Sequence, residues 1–365
     1  MKKVIVSVTN DLAFDQRVKR ICEVLEELNY DILLLGRVLP TSTSYQPNYK
    51  ISRVKLTFNK GGLFYASYNI YLFWKLLFTS SDLLYSNDLD TLLPNYLVAK
   101  IKGIPLIYDS HELFTEVPEI QGRWVKKVWL GIEQFIFPKL KNVITVNDSI
   151  ANIYQNKYQV KVNVIRNIPL FNPLKTEELF PQNETEKVII LQGAGINMDR
   201  GAEELVLSMK IIPNAKLLII GSGDVVPRLK EMVIENDLEQ RITFINKVPP
   251  AELKKYTQLA DIGVSLDKAT NANYQFSLPN KLFDYIHANT PVVSSNMVEV
   301  ANIVTKHQIG IVIPEVTPKA IAQAINKMLS DKALYQTFQN NCKTASQTLN
   351  WQSEKVVLKE VLEKI

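Results

Sequence analysis

Strand-like apolar runs and amphipathic segments alternate along this chain, and they do so in two successive series. In the first series Val4–Val8, Asp31–Leu35, Leu83–Tyr85, Ile104–Tyr108, Asn142–Val146 and Lys161–Ile165 read as short strands. Asp15–Leu28 reads as a helix with Val18, Ile21, Leu25 and Leu28 on one face, and Leu92–Lys102 as another. In the second series, strands are expected at Val188–Leu191, Lys216–Ile220, Ile242–Phe244, Asp261–Leu266 and Pro291–Ser295. Helices are expected from Arg200, over Val226–Ile234 and after Pro279. Residues 167–186 carry Pro169, Pro173 and Pro181 among polar residues and read as a linker. At 365 residues the chain is also too long for one comfortable core. The expectation is α/β: two Rossmann-like domains facing across a cleft, one over residues 1–166 and one over 187–346, with a last helix in 347–365.

The first strand–helix–strand unit invites a search for a dinucleotide fingerprint, and the search fails. Gly36 is the first glycine, so no G-x-G-x-x-G follows the first strand and a nicotinamide enzyme is disfavoured. Cys22 and Cys342 stand far apart, giving neither a disulfide framework nor a metal spacing. The net charge of +5 suits anionic ligands or an anionic membrane face and is too small to argue for nucleic acid. Met1–Val8 holds too short an apolar run for a signal peptide. No apolar segment reaches the ~18 residues that span a bilayer. A cytoplasmic protein is expected, able to lie on the inner face of the membrane.

Two segments leave alternatives open. Leu63–Phe78 carries seven aromatics and one charge, Lys75, so as a helix it is apolar nearly all round. It reads either as a crossover helix packed on the sheet or as a lipid-facing one. Gly122–Leu140 reads as a basic amphipathic helix: over 121–141, Arg123, Lys126, Lys127, Lys139 and Lys141 face one acid, Glu133. Trp124, Val128, Trp129, Ile132 and Phe135 supply its apolar side. It fits an anionic membrane surface, or a core-facing helix whose polar side is basic.

Polar residues gather at expected strand ends, where open α/β sheets bind ligands. Asp88-Leu89-Asp90 could hold a divalent metal through carboxylate oxygens, but helix starts favour Asp anyway, and no metal is expected. Asp109, Ser110, His111 and Glu112 end the strand at Ile104–Tyr108, and His111 there is a candidate catalytic or polar contact. Gly193-Ala194-Gly195 runs on to Arg200-Gly201 and offers backbone N–H groups and a guanidinium to phosphate. Gly221-Ser222-Gly223 is a second such loop, although tight strand-to-helix turns use glycine regardless. In Ser277–Ile286, Ser277 and Pro279 read as the opening of a helix whose positive end would carry Lys281. Asp284, a turn further on, could accept from ribose hydroxyls.

Together these residues resemble the family-4 glycosyltransferases of the GT-B fold, particularly bacterial enzymes of surface polysaccharide synthesis. The resemblance covers nearly the whole chain. It is carried by Asp15-Gln16-Arg17, Tyr108–Leu113, Arg200-Gly201, Gly221-Ser222-Gly223, Ser277–Tyr285 with Pro291-Val292-Val293, and Asn350-Trp351. It implies that the second domain binds a nucleoside diphosphate sugar through Gly193, Gly195, Arg200, Gly221, Lys281, Leu282 and Asp284. It implies an acceptor side in the first domain at Asp15, Arg17, Asp109, His111 and Glu112, and a last helix crossing back to that domain. Arg200 and Lys281 would stabilise the leaving diphosphate in place of a metal, with His111 near the anomeric carbon. The implied reaction is retaining transfer to a lipid-linked or growing saccharide, with the nucleotide sugar as co-substrate and no cofactor. Three departures from the family pattern stand out: Phe276 where the first acid of Glu-x7-Glu is expected, Ala194 in place of an arginine, and Asn10–Asp15 in place of a glycine pair. Phe276 and Ala194 motivate a rival reading, a catalytically idle nucleotide- or partner-binding subunit; a second rival is a sugar-nucleotide epimerase on the same fold.

Overall fold

A computed structural model describes residues 1–13, 15–40, 42–117, 120–172 and 186–365. Of the expected linker prolines, Pro173 and Pro181 lie outside the described residues. The chain divides into two compact units: Met1–Asn167 with Glu354–Ile365, and Ile168–Ser353.

The first unit contains β1 (Lys3–Asp11), α1 (Gln16–Glu27), β2 (Asp31–Arg37), β3 (Lys50–Val54), α2 (Gly61–Phe78), β4 (Leu83–Asn87) and α3 (Leu89–Lys102). It continues through β5 (Leu106–Ser110), α4 (Trp124–Ile136), β6 (Asn142–Thr145), α5 (Asp148–Tyr158) and β7 (Val162–Val164). The strands form one seven-stranded sheet in the order β3-β2-β1-β4-β5-β6-β7. Every pairing is parallel. Strand order reverses between β1 and β4, which opens a crevice at their carboxyl ends. Two elements carried little sequence signal. β3 is an edge strand with no fully buried residue, so it lacks an apolar run. α5 is announced by Asn147, whose side chain accepts from the Ile150 N–H.

The two ambiguous helices resolve by burial. Phe64, Tyr68, Leu72 and Leu76 form the i, i+4 stripe that α2 buries, and the Tyr68 hydroxyl donates to the Val8 carbonyl. Leu63, Ile70, Trp74 and Phe78 of the same helix are exposed, so it is a crossover helix with a second, apolar outer face. α4 is shorter than expected and passes into a single 3-10 turn, Phe137–Lys139, because Pro138 has no N–H to continue it. Its one acid, Glu133, is buried, accepting from the Tyr158 hydroxyl and from Lys157 Nζ at 2.8 Å. The outer side of α4 therefore keeps its cations, beside exposed Trp124, Val128 and Phe135.

The second unit contains β8 (Lys187–Gly193), α6 (Ala202–Ser208), β9 (Ala215–Gly221), α7 (Val226–Glu235), β10 (Ile242–Ile245), α8 (Pro250–Leu259) and β11 (Ile262–Ser265). Then follow α9 (Ala272–Gln275), α10 (Asn280–His287), β12 (Val292–Ser295), α11 (Val298–His307), β13 (Gly310–Ile313), α12 (Pro318–Ser330) and α13 (Lys332–Ser346). Its six parallel strands run β10-β9-β8-β11-β12-β13, and the reversal lies between β8 and β11. The apolar strands fill two cores, one on each face of the sheet. The last helix, α14 (Trp351–Glu363), begins in the second unit and ends in the first. Within the first unit Glu354 accepts from the backbone and side chain of Arg166 at 2.8 Å, while Lys355 and Lys359 pair with Glu27.

Candidate functional site

The chemistry of the second unit gathers at the carboxyl end of β8, beside the reversal of strand order. α10 opens at Asn280 with Pro279 as its cap residue, and no side chain caps it. The expected cap is not made: the Ser277 hydroxyl instead donates to the Tyr274 carbonyl at 3.0 Å. The first N–H groups of α10 thus keep their unmet capacity and their partial positive charge. Pro279, Asn280 and Lys281 line a pocket of about 200 Å3 together with residues 191–196 and Arg200.

The glycines around this pocket do different work. An added Cβ on Gly193 or Gly195 would meet nothing closer than 3.9 Å and 3.7 Å, and neither residue has a positive φ. The turn itself does not demand glycine there; the missing side chains leave room in the pocket. Gly221 differs: its φ is +134° and a Cβ would stand 1.8 Å from the Gly193 carbonyl oxygen. A Cβ on Gly223 would lie 1.9 Å from the Ile196 carbonyl oxygen. Gly221, expected at the donor, is thus required by two backbones that touch, a structural reason independent of any ligand.

Arg200 and Lys281 come together here around Asp267, the residue that follows the expected strand Asp261–Leu266. Asp267, 2% exposed, lies 3.4 Å from Arg200 Nη1 and 3.9 Å from Lys281 Nζ. Burial pushes the Lys281 ammonium below its ordinary pKa; Asp267 opposes that shift and the Arg200 charge adds to it. The Arg200 guanidinium also stacks on Tyr274, 4.5 Å from the ring centre, and its buried Nε has no hydrogen-bond partner among the described residues. The charged side chains that line the pocket itself are the two cations, Arg200 and Lys281.

Asp284 is half-buried one turn into α10 and accepts from Gln192 Nε2 at 3.0 Å. Gln192 Oε1 in turn accepts from the Thr257 hydroxyl at 2.7 Å, so the carboxylate is oriented. Leu282 departs from expectation: its side chain is fully buried and its N–H is taken by the Pro279 carbonyl, which leaves it nothing to offer a ligand.

In the first unit the expected acceptor residues separate by burial. Arg17 and Asp109 are 3% and 0% exposed and form a two-point pair, Nη2 to Oδ1 at 2.7 Å and Nε to Oδ2 at 3.1 Å. Arg17 Nη1 also donates to the Ile165 carbonyl at 2.8 Å, and the Tyr85 hydroxyl donates to Asp109 at 3.0 Å. Both were expected on the acceptor side; both are sealed inside the unit, because an ion pair this buried must satisfy all its donors internally. Although burial opposes ionisation, Arg17 and His111 hold the Asp109 carboxyl well below the usual carboxylate range. Asp15 caps α1, accepting from the Val18 N–H at 3.1 Å. The Glu112 backbone carbonyl accepts from the Ser110 hydroxyl at 2.8 Å.

His111 stays near the surface, its side chain 19% exposed. Its Nδ1 lies 3.1 Å from Asp88 Oδ2, its backbone N–H donates to Asp88 Oδ1 at 2.9 Å, and its Nε2 lies 3.7 Å from Asp109 Oδ2. Burial lowers its pKa, but the Asp88 and Asp109 carboxylates outweigh that, and the imidazole titrates well above 6.5. The two carboxylates thus favour the protonated, donating form of the ring. The acids of Asp88-Leu89-Asp90 go separate ways, Asp88 to His111 and Asp90 to the Thr9 hydroxyl at 2.6 Å. Burial and Asp88 push the Asp90 carboxyl up to about 7. Among the described residues no group of three His, Cys, Asp or Glu could hold a metal ion, and no helix is long and apolar enough to cross a membrane.

The chain matches two family descriptions in succession: "Glycosyltransferase Family 4" over residues 15–169 and "Glycosyl transferases group 1" over residues 175–345. It is 30% identical over 164 residues, 44% of its length, to an uncharacterized glycosyltransferase of Methanocaldococcus jannaschii. It is 28% identical over 116 residues, 32% of its length, to the amylovoran biosynthesis glycosyltransferase AmsK of Erwinia amylovora. The matched stretches span 40% and 28% of those two proteins, less than half of each. In fold it is similar to the sucrose-phosphate synthase of Thermosynechococcus elongatus, with a TM-score of 0.82 and 18% identity over 100% of this chain and 99% of that one. It is likewise similar to Anabaena HepE in complex with UDP and glucose, with a TM-score of 0.77 and 14% identity over 100% of both chains.

Proposed function

Since the chain belongs to the family-4 glycosyltransferases with the GT-B fold, we propose that it moves a sugar from a nucleoside diphosphate sugar to a lipid-linked or growing saccharide. The observation that carries this reading is the pocket of the second unit, where an uncapped helix N-terminus and two cations converge on one anion-sized space. The diphosphate occupies that space, with Gly193 and Gly195 leaving room for it. As the bond from the anomeric carbon to phosphate breaks, charge builds on the leaving diphosphate. Arg200, Lys281 and the first N–H groups of α10 are already oriented to stabilise it, the task a divalent metal performs elsewhere. Asp284, oriented by Gln192, accepts from the ribose hydroxyls. The acceptor hydroxyl enters on the face that the diphosphate leaves, passes its proton to the departing phosphate oxygen, and the anomeric configuration is retained. No protein base is needed in that scheme, and His111 acts as a donor on the acceptor side.

The UDP and glucose bound by Anabaena HepE make UDP the first nucleotide to try, and the amylovoran relative supports a role in surface polysaccharide synthesis. The exposed Trp74 and Phe78 of α2 and Trp124 with the basic side of α4 suit an anionic membrane face, which supports a position on the inner leaflet. Absence of binding to anionic vesicles at low salt would remove that reading.

A thermal-shift panel of UDP, GDP, ADP and CMP with their common sugars, in EDTA, tests the donor reading on wild type and Lys281→Ala. One nucleoside diphosphate should raise the melting temperature, survive EDTA and lose much of its shift in the variant. Absence of any shift in folded wild-type protein would overturn it in favour of an idle or partner-dependent subunit.

A further inference from the structure

Asp88 breaks two local preferences at once. It stands at the cap position of α3, where an Asp ordinarily accepts from the first helical N–H groups, yet it makes no side-chain cap. Its backbone has φ 58° and ψ 167°, a region that suits glycine and strains any residue with a Cβ. Its carboxylate spends both oxygens on His111, Oδ1 on the backbone N–H at 2.9 Å and Oδ2 toward Nδ1 at 3.1 Å. The Asp88 N–H donates to the Asp109 carbonyl at 2.9 Å, which ties the strained residue to the strand that leads into His111. Strain that persists without a local gain marks a residue held for something else.

We propose that Asp88 is the positioning residue for His111, clamping its backbone and its Nδ1 so that the ring presents Nε2 toward the acceptor side. Nε2 lies 3.7 Å from Asp109 Oδ2, beyond hydrogen-bond reach, and is buried with no hydrogen-bond partner among the described residues, so its donor capacity is left unused within the protein itself. Asp109 is committed to Arg17 and Tyr85 and cannot take over the clamp. The charged and titratable groups facing the ring are Asp88 at the β4–α3 junction, Asp109 on β5 with Arg17 of α1 and Tyr85 of β4 behind it, and Asp90 on α3. The clamp rests on His111 having a role in transfer, so the experiment reads the clamp without turnover.

The chain has three histidines, so His111 can be followed by nitrogen-15 imidazole resonances in the full-length protein, with His111→Gln identifying its signals. Asp88→Asn, nearly the same size, should lower the His111 titration midpoint by roughly one pH unit or more and let the ring sample both tautomers. Asp88→Glu should restore part of the midpoint if the charge is what counts. An Asp88→Asn protein, folded by its spectrum, in which His111 titrates as in wild type would overturn the clamp. If the midpoint falls as expected but His111→Gln leaves transfer from the identified donor unchanged, the clamp stands and the role given to His111 fails instead.

Discussion

Asp267 and Arg200 face each other in the second unit with both carboxylate oxygens 3.4 Å from Nη1. Lys281 Nζ adds a second cation 3.9 Å from the same acid. This acid keeps two like charges together in the absence of a diphosphate, since each cation alone would be costly to bury beside the other. Asp267→Asn keeps the shape and removes the charge. Ligand-free protein should lose about 1–3 kcal/mol, because a partly exposed ion pair is lost and two cations are left repelling. A nucleoside diphosphate should restore more stability to the variant than to wild type, since it neutralises the same charges. Melting curves with and without UDP test this; equal ligand shifts would show that Asp267 and the ligand do not address the same cations.

Lys281 should be a residue whose removal stabilises the fold. Its pKa is lowered by burial, so between its folded value and 10.5 the unfolded chain binds more protons than the folded one. Stability must then rise with pH across that window, and at neutral pH the folded state carries the full cost of the buried charge. Lys281→Met should raise the melting temperature at pH 7, flatten the rise toward pH 10, and weaken nucleotide binding by tenfold or more. Denaturation at a series of pH values beside nucleotide titrations checks both halves. A variant that is less stable at pH 7 would mean that Asp267 more than repays the burial.

Arg17 and Asp109 lead to the opposite expectation. The Asp109 carboxyl is depressed below its unfolded value, so its contribution to stability is present above about pH 4 and is lost as pH falls through the folded pKa. Asp109→Ala would strand a buried guanidinium and should cost about 3–5 kcal/mol. The loss should appear in urea unfolding at pH 7, and should shrink progressively as pH falls below about 4 toward the depressed folded pKa. A variant of normal stability with a raised KM for acceptor would return Arg17 and Asp109 to the acceptor side.

Much of this arrangement was legible in the sequence, and the remainder was hidden for physical reasons. Runs such as Ile104–Tyr108 announce buried parallel strands, and once the strands are set their carboxyl ends deliver His111, Gly193 and Arg200 to crevices. Periodicity has nothing to say about β3, an edge strand with no buried face. It cannot show which charges meet, either: Arg200 finds Asp267 across 67 residues and Arg17 finds Asp109 across 92. Asp109, at a strand end, looked accessible until that pairing buried it together with Arg17. Ser277 had the right chemistry for a cap, but the turn at Tyr274 claimed its hydroxyl first.

The glycines offer a test that separates fold from site by one methyl group at a time. At Gly195 a Cβ would make only an ordinary contact, 3.7 Å from Asn197 Nδ2, at a φ that is not positive, so Gly195→Ala should fold with unchanged stability or gain about 0.4–1 kcal/mol from a stiffer unfolded chain. The added methyl protrudes into the pocket, so nucleotide affinity should fall by an order of magnitude or more. At Gly221 the same change puts a Cβ 1.8 Å from the Gly193 carbonyl oxygen at a φ of +134°, and Gly221→Ala should be largely unfolded or insoluble. Circular dichroism melts and UDP titrations on the two variants give the comparison. If Gly195→Ala binds nucleotide as wild type does, the diphosphate does not lie against this turn, and the pocket between the end of β8 and the start of α10 is not where it sits.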